Sequence, residues 1–485
     1  MKAEIRRILE KEKADVATED NSRREFIKNT AMGGIALGGM MNASIEETID
    51  YTTQRVNRAS SPADLRITDL RMAGRIIKLY TNQGIFGYGE VRDGGDPRYA
   101  LFLKSRIVGQ NPCNIEMVFK IIKQFGYHGR QGGGVSGVEM ALFDLCGKAY
   151  NVPAWVLLGG MYRDRVRCYA DTPTRSLEAA VASMENRMNV QGFTWLKLDF
   201  GLRQAYDYDT SIVNNKFWSN AVEQAENRPA FMRYNNTEHP FTQIQLTDRA
   251  IDGMEEYVAA VRNAAGTEIP IATDHYGHFD YNNHIRLFKR LDKYRLAWCE
   301  DPTQWYNFDD MKRIKDAIET PVCTGEDIYL MRGPGLGIGF KDLIDSKCVD
   351  IIHPDLATSG GLLETKRIAD YAQENGMACA FHQAGTPVTY MANVHCAAAT
   401  ENFLALEHHS VDDVNWPKMV RMTGSQPLFD KGYAPVPLDS PGLGIELVDD
   451  AIKEFHASRY QGVFGEMWAP TDYWDNRQSN DRLWS

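Results

Sequence analysis

Six ionisable residues recur at nearly equal intervals along this chain, each at the end of a short apolar run. They are Asp274, Glu300, Glu326, Asp355, His382 and Glu407, which are 26, 26, 29, 27 and 25 residues apart. An interval of this length accommodates one β-strand, one helix and their connections. In a barrel of parallel strands the carboxyl ends meet at a single mouth, so these residues would share one site. Acids scattered through a core would not keep this common phase, and unpaired buried carboxylates are costly.

The apolar runs predict an α/β fold in which eight strands of a TIM-type barrel alternate with amphipathic helices. The predicted strands are 166–170, 195–200, 269–274, 296–300, 322–326, 349–355, 378–382 and 403–407. The step from Lys197 to Asp274 is 77 residues, so about fifty residues are inserted, near 202–245. Loops on this face of a barrel carry function. We expect the insertion to cover the mouth or to form a subunit contact.

Residues 1–61 differ in character from the rest of the chain. The segment Ser22-Arg-Arg-Glu-Phe-Ile-Lys28 precedes a mildly apolar, Gly-rich stretch. This pattern predicts a twin-arginine export signal with a linker, and hence a periplasmic protein. The alternative is a disordered tail on a cytoplasmic protein, because adjacent arginines are common.

Residues 62–160 predict a small α+β unit ahead of the barrel. We expect two strands at 67–72 and 75–80, followed by two helical stretches at 97–107 and 115–125. A longer helix capped by Ser136 is expected at 136–150.

Composition excludes several classes of function. The 485 residues carry a formal net charge of -11, which argues against nucleic acid as a partner but not against a small anionic substrate. The eight cysteines form no CxxC pair and predict buried small side chains rather than disulfides or a thiolate metal site. No apolar run approaches the ~20 residues that a membrane-spanning helix needs.

Asp274, Glu300 and Glu326 would place three hard oxygen ligands on neighbouring strands. This donor set suits Mg²⁺, with Mn²⁺ as the alternative, and leaves coordination sites for water and substrate. A divalent cation beside a substrate carboxylate stabilises the enolate formed when the α-proton leaves. The sequence therefore predicts metal-assisted proton abstraction.

His382 is the candidate general base. A lone histidine on an apolar strand is more often a core residue, but Asp355 on the preceding strand can bond one ring nitrogen and tune the other. Glu407, one strand further, would donate a hydrogen bond to the enolate if it stays protonated. Alternatively, Glu407 would form an ion pair with a barrel Lys or Arg.

Three further residues are expected to face the barrel interior, because alternate residues of a strand share a face. Lys197 would neutralise the substrate carboxylate, or act as a base if its pKa is lowered. Asp199 would pair with Lys197, bind a substrate hydroxyl or hold a water. Tyr276 shares the inward face with Asp274 and is a candidate substrate contact.

At these positions the chain resembles the mandelate racemase and muconate lactonizing enzyme branch of the enolase superfamily. The resemblance covers residues 62–450, and its motifs occur in the order that the family has. The matching segments are Trp195-Leu-Lys-Leu-Asp199, Ala272-Thr-Asp274, Trp298-Cys-Glu-Asp-Pro302, Thr324-Gly-Glu326, Ile352-His-Pro-Asp355, Ser359-Gly-Gly361, Phe381-His382 and Leu406-Glu407.

The resemblance implies a modified (βα)7β TIM barrel over 161–433. An N-terminal capping domain would occupy 62–160, and the C-terminal segment 434–485 would pack on it. Cap loops near 83–89 and 126–134 would contact the substrate, with Tyr127, His128 and Arg130 as candidates. The resemblance also implies a homo-oligomer.

For individual side chains the resemblance agrees with the reading above. Asp274, Glu300 and Glu326 match the family's Mg²⁺ ligands. Asp355 and His382 match its catalytic dyad, and Glu407 matches the acid that stabilises the enolate.

One departure from the family narrows the reaction. The family usually has a second lysine in the second-strand motif, and this chain has Asp199 there. A racemase needs a proton carrier on each face of the substrate, so a one-base elimination fits better. The sequence therefore predicts a metal-dependent lyase that dehydrates an acid sugar to a 2-keto-3-deoxy acid. The alternatives are a cycloisomerase of an anhydro or lactone acid, an epimerase using Lys197 or Asp199, and a non-catalytic exported sugar-binding protein.

Overall fold

The computed structural model describes residues 60–126, 132–172, 176–200, 213, 245–274, 280–333 and 337–474. The twin-arginine segment and nearly all of the 202–245 insertion lie outside these residues and stay predictions. Within the described ranges, no helix is both long enough and apolar enough to cross a membrane.

An antiparallel sheet of three strands opens the described chain. Its strands are β1 Ile67–Ala73, β2 Ile76–Thr81 and β3 Phe86–Glu90. The helices that follow are α1 Arg98–Phe102, α2 Lys104–Ile107, α3 Ile115–Ile122 and α4 Gly133–Tyr150. This α+β unit, which we call the cap, packs β3 against α4.

Two sequence expectations for the cap are wrong. Residues 83–89 were expected to form a loop, but most of them belong to β3. The glycines there serve close packing instead, since a Cβ at Gly89 would lie 1.9 Å from the Gly137 carbonyl oxygen of α4. Ser136 does not cap α4, which begins at Gly133, and its buried hydroxyl lies within hydrogen-bond distance of the carbonyl oxygens of Gly132 and Thr358.

Eight parallel strands close into a barrel in sequence order, with β11 pairing with β4, which confirms the predicted modified TIM barrel. The strands are β4 Arg165–Ala170, β5 Leu196–Asp199, β6 Ile271–Asp274, β7 Trp298–Glu300, β8 Val322–Thr324, β9 Ile351–Ile352, β10 Ala378–Phe381 and β11 Phe403–His408. The connecting helices are α5 Leu177–Asn189, α6 Asp248–Ala265, α7 Tyr281–Leu291, α8 Phe308–Lys315, α9 Phe340–Ser346, α10 Leu356–Ser359, α11 Leu362–Glu374 and α12 Pro387–Ala398.

Alternation along the strands stacks a polar layer on an apolar one inside the barrel. The apolar layer consists of Tyr169, Trp195, Ala272, Trp298, Cys323, Ile351, Ala380 and Ala405. Two residues further along β5, β6 and β7, the same face carries Lys197, Asp274 and Glu300. The ionisable residues at the mouth therefore pack on a filled apolar interior and not over an open pore.

The chain returns to the cap after the barrel. The elements of this segment are β12 Val420–Met422, β13 Tyr433–Pro435, β14 Ile445–Leu447, α13 Asp449–Arg459 and α14 Gln461–Phe464. Short 3₁₀ turns occur at Pro62–Asp64, Lys123–Phe125, Ala154–Leu158, Asp292–Tyr294, Trp416–Met419 and Asp472–Trp474. The backbone N–H of Trp468 donates to the Met72 carbonyl at 3.0 Å, and Thr471 Oγ1 donates to the Leu70 carbonyl at 2.7 Å. Residues 468–471 therefore lie against β1.

All eight cysteines are free in the structure. Seven of them are buried, and Cys113 is partly exposed. They contribute to the core as small apolar side chains, as the sequence indicates.

Glu139 of α4 ties the cap to the barrel, and its charge state should make stability depend on pH. Its two carboxyl oxygens accept the N–H groups of Leu362 and Leu363 at 2.7 and 3.0 Å, yet burial raises the pKa of Glu139 from 4.5 to about 8. Between those pH values the folded chain retains a proton that the unfolded chain releases, so this group makes folding less favourable as pH rises.

Glu139→Gln cannot titrate, so we expect it to lose less stability than the wild type between pH 5 and pH 8. The difference in free energy of unfolding between the two proteins should change by roughly 3 kcal/mol in favour of the variant. Urea unfolding at the two pH values measures it. Parallel pH curves would mean that the two N–H donors keep Glu139 ionised in the folded protein.

Candidate active site

A cavity of about 1060 Å³ opens at the mouth, the carboxyl-terminal end of the barrel. Lys197, Asp199, Asp274, Glu326 and His382 are among the residues that line it. The other three members of the repeat, Glu300, Asp355 and Glu407, are buried and contact or electrostatically influence these lining residues. The structure thus brings together the whole repeat that the spacing predicts.

His382 and Asp355 form a close pair. His382 Nδ1 lies 2.6 Å from Asp355 Oδ2, and the other Asp355 oxygen accepts the Ala357 N–H at 2.7 Å. The second ring nitrogen, Nε2, lies 2.7 Å from Glu326 Oε2 and 3.4 Å from Glu407 Oε2. Burial opposes a charge on the ring, but Glu326 and Glu407 outweigh it and raise the pKa of His382 well above its ordinary value.

Lys197 lies among carboxylates. Its Nζ is 2.6 Å from Glu407 Oε1, 3.1 Å from Asp274 Oδ2 and 3.9 Å from Asp171 Oδ1. Burial alone would lower the pKa of Lys197, but Glu300, Glu407 and Asp274 raise it well above the ordinary value. In this arrangement Lys197 is a cation and not a base.

The same contact decides the charge of Glu407. Its carboxyl is fully buried, which by itself would raise the pKa, but Lys197 and then His382 hold the pKa of Glu407 well below its ordinary value. Of the two roles considered from the sequence, the structure has the ion pair with a barrel lysine. Glu407 would be protonated only if the positive charges of Lys197 and His382 beside it were changed.

The candidate metal ligands are each held by neighbouring side chains. Asp274 accepts from Lys197, Glu326 from His382, and the Trp298 Nε1–H donates to Glu300 Oε2 at 3.1 Å. Across the described ranges, no three His, Cys, Asp or Glu side chains are grouped closely enough to hold an ion. The carboxylates are therefore arranged around the protein's own cations.

The donor set nevertheless fits a divalent cation. Glu300 is fully buried, and burial followed by repulsion from Asp274 raises its pKa well above the ordinary value. The neighbouring Asp301 behaves in the same way, through burial and then repulsion from Glu326 and Asp274. A bound cation relieves mutual repulsion of this kind, and oxygen ligands are those that Mg²⁺ prefers.

Sequence reasoning missed two residues at the mouth. Arg92 follows β3 of the cap, is 1% exposed, and its Nη1 donates to Asp355 Oδ2 at 2.6 Å. Its signal was a second charged residue two positions after Glu90, just beyond the end of an otherwise apolar strand. Asp301 lines the cavity with a left-handed backbone, φ 43°, and accepts a hydrogen bond from Thr324. No feature of the sequence marked that backbone conformation.

Four predicted substrate contacts lie outside the described residues. They are Tyr276, Tyr127, His128 and Arg130. Asp199 lies at the end of β5 and lines the cavity. A role for any of these five side chains in binding a substrate stays a prediction.

Sequence comparison identifies both parts of this architecture. Residues 48–159 match the mandelate racemase/muconate lactonizing enzyme N-terminal domain, and residues 179–451 match the enolase C-terminal domain-like family. The chain belongs to the mandelate racemase and muconate lactonizing enzyme branch of the enolase superfamily. The family resemblance predicted from the motifs is thereby confirmed.

Relatives in this superfamily are similar over most of their length. A D-xylonate dehydratase from Haloferax volcanii is 31% identical over 87% of this chain and 95% of its own. A D-galactonate dehydratase family member from Pantoea ananatis is 27% identical over 78% of this chain and 89% of its own. The class of enzyme expected from the sequence, a lyase of the enolase superfamily, agrees with these names.

Solved structures of superfamily members share the fold. A mandelate racemase/muconate lactonizing enzyme-like protein from Rubrobacter xylanophilus has a TM-score of 0.69 and 28% identity, covering 83% of this chain and all of its own. The 3,6-anhydro-D-galactonate cycloisomerase from Zobellia galactanivorans has a TM-score of 0.63 and 23% identity, covering 80% and 99%. Because the cycloisomerase is only 23% identical to this chain, its similarity concerns the fold alone.

Proposed function

We propose that this enzyme dehydrates an acid sugar in a reaction that depends on Mg²⁺ and gives a 2-keto-3-deoxy acid. The observation that carries the proposal is the His382 geometry, with Nδ1 2.6 Å from Asp355 and the ring lining the cavity. The names of the sugar-acid dehydratases among its relatives support the choice of substrate class.

Proton removal falls to His382 in this proposal. Asp355 accepts the Nδ1 proton, and Mg²⁺ held by Glu326 would draw the charge of that carboxylate away from Nε2, so the ring would be neutral with its lone pair on Nε2. Nε2 takes the proton from the carbon next to the substrate carboxylate, the C–O bond on the next carbon breaks, and hydroxide leaves as water after an acid protonates it. The resulting enol becomes the 2-keto acid.

Charge at the mouth would orient the acid sugar. Lys197, whose Nζ lies 3.1 Å from Asp274 Oδ2, would attract the substrate carboxylate. Asp274, Glu300 and Glu326 would hold Mg²⁺, which when bound supplies positive charge that stabilises the developing enolate. Asp199 stands where a two-base racemase has its second lysine, so elimination from one face is favoured over racemisation.

A substrate screen tests the proposal. Aldonic, aldaric and anhydro-aldonic acids are incubated with the enzyme and Mg²⁺ in D₂O, and 2-keto acid formation and α-proton exchange are followed by NMR. We expect keto product from a linear acid, and its loss when EDTA removes the metal. Activity that persists in EDTA would contradict the proposed enolate chemistry.

The remaining outcomes separate the alternatives. Keto product from anhydro acids alone would replace dehydration by ring-opening cycloisomerisation. Exchange or an epimer without keto product would indicate an epimerase with a second base. Binding without either reaction would indicate a sugar-binding protein, because binding alone requires no base.

A further inference from the structure

Arg92 is a cap residue whose side chain reaches the candidate dyad of the barrel. It lies 263 residues before Asp355 in sequence, is 1% exposed, and its Nη1 donates to Asp355 Oδ2 at 2.6 Å. That oxygen also lies 2.6 Å from His382 Nδ1, and Arg92 Nη2 lies 3.6 Å from Glu326 Oε1. Arg92 Nη1 also lies 3.2 Å from His382 Nδ1, so the guanidinium of the cap contacts both members of the dyad.

The contacts of Asp355 determine how the histidine is held. Its Oδ1 accepts the Ala357 N–H at 2.7 Å, while Oδ2 faces both the guanidinium and the imidazole. A guanidinium has only donors, so the Asp355 carboxylate accepts its hydrogen bond at Oδ2. That carboxylate in turn requires a proton on Nδ1 of His382, which leaves Nε2 as the nitrogen able to accept one.

Glu90 holds the other end of the histidine loop. Glu90 lies two residues before Arg92 and is fully buried. Its Oε2 accepts hydrogen bonds from the hydroxyl groups of Thr386 at 2.7 Å and Thr389 at 2.6 Å. Thr386 is the N-cap of α12, which follows His382 after a short loop. One stretch of the cap thus contacts the loop 382–386 at both ends.

We propose that Arg92 is a positioning residue for the base, which rests on the proposed function of His382. It fixes Asp355 as an acceptor and thereby the tautomer and orientation of the His382 ring. Because Arg92 belongs to the cap, the base is correctly oriented only when the end of β3 is docked on the barrel. Arg92 does not take part in proton transfer itself.

The test compares Arg92→Met and Arg92→Lys with Arg75→Met as the matched control. Arg75 lines the cavity and pairs with Glu90 at 3.1 Å, so Arg75→Met shows whether loss of any charge at the junction of cap and barrel alters the His382 resonance, and only its resonance serves as the control. Proton NMR of the full-length protein labelled with ¹⁵N-histidine, in EDTA, follows the Nδ1–H of His382, which is assigned by its absence from His382→Asn. Kinetics with the substrate found in the screen supply kcat and KM.

We expect the Nδ1–H resonance to shift or broaden beyond detection in Arg92→Met and to remain in Arg75→Met. In Arg92→Met, kcat should fall about 10²-fold, as for a misplaced catalytic group, with a smaller change in KM. Arg92→Lys should recover part of both signals, because a lysine can donate to Asp355 but not in the planar geometry of a guanidinium.

Several outcomes would overturn the proposal. An unchanged resonance in Arg92→Met would mean that Asp355 alone orients the ring. A raised KM at unchanged kcat would make Arg92 a substrate-binding residue. If Arg92→Met does not fold, Arg92→Lys supplies the test. A wild-type Nδ1–H resonance and a wild-type kcat in Arg92→Lys would then argue against a role for the planar guanidinium in orienting the ring. If the wild type turns over no acid sugar, the proposed function fails, whereas the resonance still decides the role of Arg92.

Discussion

His382→Asn is expected to lower kcat for the acid-sugar reaction by about 10²–10⁴-fold, the usual contribution of a general base. Asparagine can still donate from its amide to Asp355, so the loop should keep its conformation, but it has no nitrogen that accepts the α-proton. Exchange of the α-proton in D₂O should disappear together with the keto product. KM should change much less than kcat, because the residue acts in the transition state.

A second buried histidine supplies the control for this prediction. His408 is the last residue of β11, at the carboxyl-terminal end of the barrel, but it packs outward against Tyr390, Trp416 and Phe429. His408→Asn should cost stability and leave kcat near the wild-type value. Equal losses of kcat in both variants would indicate a general disturbance of the barrel. Retained exchange in His382→Asn would require another base.

Lys197→Met should lower the free energy of unfolding by about 3–5 kcal/mol at pH 7, the cost of removing one partner from a buried ion pair. Glu407 is fully buried, with Lys197 2.6 Å from Oε1 and His382 3.4 Å from Oε2. Methionine fills similar space but leaves that carboxylate poorly compensated. Chemical unfolding of the metal-free protein measures the loss.

The sign of the pH effect follows from the depressed pKa of Glu407. Its ionised form stabilises the wild type above the unfolded pKa of 4.5, and this contribution is lost as pH falls through the lower folded pKa. In Lys197→Met the carboxyl can take up a proton instead. The deficit of the variant should therefore shrink as the pH is lowered towards 4.5. A deficit independent of pH would indicate lost packing rather than an unpaired charge.

Two related variants make this test stricter. Glu407→Gln should cost less than Lys197→Met, since Lys197 keeps Asp274 at 3.1 Å and Asp171 at 3.9 Å. The double variant should recover part of the stability lost in Lys197→Met, because no buried charge is then left by Glu407. Additive losses would contradict the direct coupling of the two side chains.

Two periodicities explain why much of the site could be predicted. The βα repeat sets the interval between strand ends. The two-residue alternation of a strand sets whether each side chain faces the barrel interior or the surrounding helices. Trp195 and Lys197, like Ala272 and Asp274, follow this rule. Both periodicities are local properties of the chain, so they are visible without knowledge of the neighbouring strands.

Glu326 shows where the local rule stops. Cys323 belongs to the apolar layer of the barrel, so strict alternation would turn residue 325, not 326, inward. The strand ends at Thr324, and Gly325 has φ 142°, a conformation that favours glycine. Glu326 lines the cavity because the chain turns there. Its prediction rested on the spacing of the βα repeat, with which the family motif agrees, and not on the alternation.

The sequence by itself determined the barrel, its order of strands and the set of ionisable residues at the mouth, because these depend on repeats along the chain. Only the tertiary structure decided their charges and partners. Glu407 is ionised because Lys197 lies beside it, and Arg92 contacts the dyad because the chain after β3 of the cap reaches the mouth. Electrostatic energy depends on distances between groups from remote segments, and no periodicity in the sequence records those distances.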